Sequence, residues 1–302
     1  MELGRDMLLP FVVTIVNMSL PDDVLDHIFG FLQSDFHVLK ACSQSHPKFI
    51  PLVKRHLYAN IALYIRSPSD TFIVISGHRL RTAEFISLLS NDPYITNYIR
   101  RLEVNIIFCL PLVTGLENMA SILSMCSLVK TVTFTSRYTT WLSLPENFRL
   151  AVLNCLNLPS MRSVSIILVY GFPLAALSSS KSVKSLTLCD WTPGPGFIPE
   201  TSRHPLLEHL AIQDCSCEAV QTIMAWVKPG NLRSLEITPL ASHNVEQLSK
   251  FYSSCSNTLT DLSLDIKSEC KSLSFSSWKV TSNLLHDSSI SIPVWSRPCW
   301  CG

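Results

Sequence analysis

Leu207-Glu208-His209-Leu210-Ala211-Ile212 and, further along, Leu232-Arg233-Ser234-Leu235-Glu236-Ile237 share one order: an apolar residue, two polar ones, then two apolar residues separated by one. Residues two apart on an extended chain share a face, so each segment predicts a half-buried strand. Seven copies can be placed: Ile99/Leu102/Val104, Val129/Val132/Phe134, Met161/Val164/Ile166, Val183/Leu186/Leu188, Leu207/Leu210/Ile212, Leu232/Leu235/Ile237 and Leu259/Leu262/Leu264. Hydrophobic residues make up 47% of the chain, and a three-position match then arises by chance about one time in ten, so spacing has to carry the reading. The central residues are separated by 30, 32, 22, 24, 25 and 27 positions, and the last four intervals suit a strand-based repeat. Helical periodicity fills several gaps, at residues 115 to 125, 146 to 156, 218 to 227 and 245 to 252. A strand-helix unit of this kind cannot bury its apolar face until neighbours stack on it.

This part of the chain resembles an irregular leucine-rich-repeat array. The resemblance implies a strand-helix solenoid, with an Asn or Cys following each strand, found here as Asn105, Cys189 and Cys215. The residue inside each apolar pair should face outward, giving a row of Glu103, Thr133, Ser165, Thr187, Ala211, Glu236 and Ser263. Glu103, Thr133, Thr187 and Glu236 are the candidate target-binding residues. The same alternation also suits an α/β domain with a parallel sheet and no superhelix, and the residues leave both open.

Upstream, Ser19-Leu20-Pro21-Asp22-Asp23-Val24-Leu25-Asp26-His27-Ile28-Phe29-Gly30-Phe31-Leu32 predicts a helix. Pro21 suits its first position, and the aspartates lie near the positive end of its dipole. Val24, Leu25, Ile28, Phe29 and Leu32 form a stripe wide enough to serve a core and a partner. A second helix is expected from Asp35, as cap, to Gln44, with Val38, Leu39 and Cys42 on one face. Pro47 and Pro51 confine the start of a third, which continues through Leu52, Val53, His56 and Leu57. Three such helices make a marginal core alone, so support from a neighbour or a partner is expected.

Leu20-Pro21-x-Asp23-Val24-Leu25-x-x-Ile28-Phe29-x-x-Leu32, Leu39-x-x-Cys42-Ser43 and Phe49-x-x-Leu52-Val53-Lys54-Arg55-His56-Leu57-Tyr58 together resemble the F-box. Asp23 stands where Glu is usual, Ser45-His46-Pro47 where a Val-Cys-Arg type of triplet is usual, and Phe49 where Trp is usual. The resemblance implies docking onto a Skp-type adaptor, and through it a cullin ubiquitin ligase. The implied adaptor-binding residues are Leu20, Pro21, Val24, Leu25 and Ile28, with Phe49 in support. The expected fold class is therefore α + α/β: a three-helix F-box at residues 18–63 followed by a leucine-rich-repeat-like region at 64–266. Residues 1–17 are expected to be an unstructured extension and 267–302 a disordered tail, since 14 of the 41 serines fall in the last 52 residues.

Composition narrows the functions. Lys and Arg number 24 against 23 Asp and Glu, a net charge of +1, so no nucleic acid partner is expected. Only 9 glycines, with neither G-x-G-x-x-G nor G-x-x-x-x-G-K, argue against nucleotide chemistry. The apolar stretches 7–16 and 166–177 are interrupted by Pro10 and Pro173 and fall short of a membrane span, and the first lacks the flanks of a signal peptide. Eleven scattered cysteines read as reduced thiols of a cytoplasmic or nuclear protein. Cys215 and Cys217 with His204 and His209, and Cys299 with Cys301, lack the ligand spacing of a metal site, so no metal or cofactor is expected. No nucleophile is paired with a base by any motif. The expected function is a non-catalytic substrate receptor for ubiquitin ligation. A soluble α/β enzyme without an identifiable active site, and a degenerate F-box protein that binds only the adaptor, are the alternatives.

Overall fold

A computed structural model of the chain describes residues 20–67, 70–107, 113–137, 139–194, 206–241 and 245–267. The expected 1–17 extension and nearly all of the expected 267–302 tail, with Cys299 and Cys301, lie outside these residues, as does His204. The described chain is mixed α/β, with eight α-helices and a ten-stranded, mostly parallel sheet.

Three short helices come first: α1 (Asp22–Phe31), α2 (Phe36–Ser45) and α3 (Phe49–Leu57). Asp22 and Asp23 sit in the first turn of α1, Asp35 caps α2 by accepting from the Val38 N–H at 3.1 Å, and Lys54, Arg55 and His56 end α3. Each charge complements the dipole end it occupies. Helix α3 starts between the two prolines, leaving Pro51 in its first turn, where a missing N–H costs no intrahelical bond.

The sheet begins earlier than the strand pattern suggests. Strand β1 (Asn60–Ile65) opens within the segment expected to be helical, and β2 (Thr71–Ile75) and β3 (His78–Arg81) form a hairpin before α4 (Thr82–Asn91). The turn between β2 and β3 has Ser76 at φ 45° and Gly77 at φ 79°, the left-handed pair that matches the twist of a two-residue hairpin. The copies expected from the sequence follow as β4 (Arg101–Ile106), β5 (Thr131–Ser136), β6 (Ser163–Ile167), β7 (Ser185–Cys189), β8 (His209–Gln213), β9 (Ser234–Ala241) and β10 (Asp261–Lys267). Helices α5 (Val113–Met125), α6 (Glu146–Leu156), α7 (Cys217–Trp226) and α8 (Val245–Cys255) occupy the gaps where helical periodicity was read. The shortest interval, from β6 to β7, holds only a 3-10 turn, Leu174–Ser179.

Strand order is β10-β9-β8-β7-β6-β5-β4-β1-β2-β3; β1 pairs parallel to β4 and antiparallel to β2. From β4 onward each strand is added on the same side of its predecessor, so right-handed crossovers put all their connections on one face. The burial pattern agrees. Leu102, Val104, Val132, Phe134, Val164, Ile166, Leu186 and Leu188 are buried, whereas the residues between them stay half-buried. A parallel sheet covered on both faces would read as a continuous apolar run, and this one alternates because one face is open.

The core does not divide at residues 63 and 64. One hydrophobic cluster runs from Leu25 through Ile61, Leu102 and Leu186 to Leu264, so the helices rest on the same core as the strands. Asn105 and Cys189 correct the reading of residues that follow the strands. Both are half-buried at outward register positions within the strands, and only Cys215 leaves its strand inward, its Sγ 3.7 Å from the Leu188 carbonyl. The corresponding positions after β6 and β7 hold the buried Val169 and Trp191.

Candidate functional site

Two surfaces collect the residues singled out in the sequence. The first lies on α1. At about 100° per residue, Val24, Ile28 and Phe31 fall on one line that Pro21 extends toward the N-terminus, while Leu25 and Phe29 fall to one side of it. Pro21 is exposed, Val24 is 39% exposed and Phe31 76% exposed, with Ile28 half-buried between them. The His27 ring meets Phe31 edge-on at 4.8 Å. Leu20 is half-buried against the core.

Leu25 and Phe49 do not belong to this surface. They are 3% and 4% exposed, and Phe49 packs edge-to-face on Phe29 with ring centroids 5.5 Å apart. Their role is to hold α1 on α3. Polar contacts fix the same pair of helices: Lys48 Nζ lies 2.7 Å from Asp22, and Asp26 takes His56 Nε2 at 2.9 Å and Arg55 Nη1 at 3.2 Å. With its acidic edge engaged by α3 and its core edge buried, α1 keeps the Pro21, Val24, Ile28 and Phe31 edge free. Phe31 was missed in the sequence because the stripe was followed through Leu25, Phe29 and Leu32, the edge that packs on the core, and not along the edge of Val24 and Ile28.

The second surface is the open face of the sheet. Glu103, Thr133, Ser165, Thr187, Ala211, Glu236 and Ser263 are direct register partners across β4 to β10, one continuous row with strands about 4.8 Å apart. Strand β1 and the hairpin extend it through Ala62, Val74 and Arg79. Gln213 donates to Glu236 at 3.0 Å, tying one acidic member to its neighbour. At the hairpin end the row gives way to an aromatic cluster. Tyr64 stacks on Phe72 at 5.0 Å, and the Arg79 guanidinium lies 3.6 Å above the Phe72 ring while pairing with Asp70. Nothing in the repeat pattern pointed to this cluster, because it belongs to the antiparallel edge that breaks the pattern.

Of the described thiols, those of Cys42, Cys126, Cys155 and Cys255 lie in the core, Cys215 packs against it, and Cys189 and Cys217 are half-buried. Burial pushes Cys126 and Cys155 up to about 12 and Cys215 and Cys255 up to about 11, which keeps them protonated and unreactive near neutral pH. Cys217 opens α7 and His209 is exposed at the start of β8. Among the described residues no group of three or more His, Cys, Asp and Glu side chains could hold a metal ion, and no helix is long and apolar enough to cross a membrane.

No protein-family model and no curated protein matches the chain.

Proposed function

We propose that this chain is a substrate-receptor subunit of a Skp/cullin/F-box ubiquitin ligase, without catalytic groups of its own. In this reading α1 to α3 form the F-box that docks the Skp-type adaptor, and the strands form a leucine-rich-repeat-like solenoid that presents the target. The observation that carries it is the line of Pro21, Val24, Ile28 and Phe31. A short helix in a small trio gains most by turning its apolar residues inward, yet α1 leaves Phe31 three-quarters in solvent beside Val24. Such an apolar centre with charged residues around it has the make-up of a protein interface. Leu20 borders the surface, while Leu25 and Phe49 support it from beneath. The open sheet face, with Glu103, Thr133, Thr187 and Glu236 in its row, is the target side.

The test is coexpression of the intact chain with a Skp-type adaptor and purification through the chain. The adaptor should copurify, and Ile28→Asp with Phe31→Asp should reduce its capture by more than about twentyfold, as for loss of central anchors. Absence of the adaptor from the unaltered chain, or equal capture by a variant with unchanged melting, would sink the reading.

A further inference from the structure

The residue just before each of β4 to β10 is the first polar position of the repeated pattern: Arg100, Lys130, Arg162, Lys184, Glu208, Arg233 and Thr260. In sequence these lie at least twenty-two positions apart. Stacking brings them to adjacent places on one rim of the sheet. The Arg100 carbonyl accepts from the N–H groups of Lys130 and Thr131 at 2.8 and 3.0 Å, and the Lys130 carbonyl accepts from Arg162 and Ser163 at the same distances. The Arg162 carbonyl takes Lys184 and Ser185 likewise, and the Lys184 carbonyl takes Glu208 and His209. Four cations therefore stand on four neighbouring strands, over about 14 Å at the usual strand spacing.

Little carboxylate faces them. Glu208 pairs with Lys184 at 2.9 Å, which holds the Glu208 carboxyl below its ordinary value, and Glu103 lies two residues beyond Arg101 on the open face. Arg100, Lys130 and Arg162 are in no ion pair among the described residues. Arg162 is held along the rim, its Nη1 donating to the carbonyls of Pro159, Met161 and Ser182 at 3.1 to 3.2 Å. Beside it opens a depression of about 560 Å³ whose lining includes Arg162, Lys181, Lys184, Ser180 and Ser182, and holds no Asp or Glu.

We propose that this rim docks an acidic segment of a partner protein, with carboxylates at Lys130, Arg162 and Lys181. In an extended segment every second side chain points the same way, at intervals of about 6.8 Å, so an Asp- and Glu-rich stretch laid across the strands sets about three carboxylates against the roughly 14 Å of cations. A polynucleotide fits less well. Glu208 interrupts the run of cations before Arg233, and the net charge of +1 supplies no wider field for a phosphate backbone. The inference is independent of adaptor binding by α1.

Fluorescence anisotropy of the intact chain with a labelled ten-residue Asp/Glu peptide tests it, beside an Asn/Gln counterpart and a single-stranded oligonucleotide of equal length. The acidic peptide should bind at low ionic strength and weaken with added salt. Lys130→Glu with Lys181→Glu, both on exposed side chains, should weaken it about tenfold at unchanged melting temperature. Should that variant be unstable, Lys130→Gln with Lys181→Gln should weaken binding in the same direction. No binding of the acidic peptide, equal binding by either folded variant, or tighter binding of the oligonucleotide or the neutral peptide overturns the proposal.

Discussion

Phe29 of α1 and Phe49 of α3 meet edge-to-face, their ring centroids 5.5 Å apart and their planes at 69°. This contact, rather than a partner, takes up the aromatic residue that the sequence suggested as part of a docking surface. Phe49→Ala should therefore cost about 3 to 5 kcal/mol of stability, whereas Val24→Ala, at a 39% exposed position, should cost less than about 1. Urea unfolding of the two variants measures the difference. A stable Phe49→Ala chain would return Phe49 to the surface.

The outward row provides a separate test of target recognition. Glu103 and Glu236 are its two acids among small, mostly polar residues, five strands apart in the stacked order β4-β5-β6-β7-β8-β9. Glu103→Arg with Glu236→Arg should remove a bound target while leaving the adaptor in place, as read by affinity purification and mass spectrometry. Identical lists of captured proteins would move recognition to another surface.

The buried thiols set an alkaline limit. Cys126 and Cys155 are raised from 9.0 to about 12, chiefly by burial. Between those values the unfolded chain has released protons that the folded chain still holds, so stability is fully present below about pH 9 and falls as pH rises toward 12. The slope should be about 1.4 kcal/mol per pH unit for each such thiol. Tyr58, raised by burial and then by Asp92, works in the same direction. Urea midpoints under reducing conditions should fall between pH 8.5 and 10.5, and Cys126→Ala should flatten the decline; a flat profile in the unaltered chain would contradict the burial.

Backbone strain is placed unevenly along the stacked turns. Leu168, Asp190 and Asp214 occupy equivalent positions after β6, β7 and β8, with φ of 58°, 47° and 50°. Their N–H groups each donate to the next strand, at 2.8, 2.8 and 2.6 Å. Asp tolerates this left-handed geometry better than Leu does. Leu168→Asn should stabilise the chain by about 0.5 to 1 kcal/mol, seen as a higher melting temperature. Gly171→Ala should destabilise it, because φ is 74° there, a conformation that L side chains rarely adopt.

Local rules were sufficient for much of this chain. Period-two alternation marked β4 to β10, because one face of each strand is in water, and the caps and prolines set α1 to α3 within a residue or so. The hairpin of β2 and β3 was not legible: Thr71-Phe72-Ile73-Val74-Ile75 is apolar on both sides, which removes the alternation a half-exposed strand displays. Only the tertiary structure decided that Leu25 and Phe49 are core while Phe31 is surface, since a helix stripe does not say which of its edges another helix will cover. It also decided that Arg100, Lys130, Arg162 and Lys184 form one rim. Residues twenty-two to thirty-two positions apart become neighbours only when parallel strands stack in register, and that register is fixed by the buried pairs beside them.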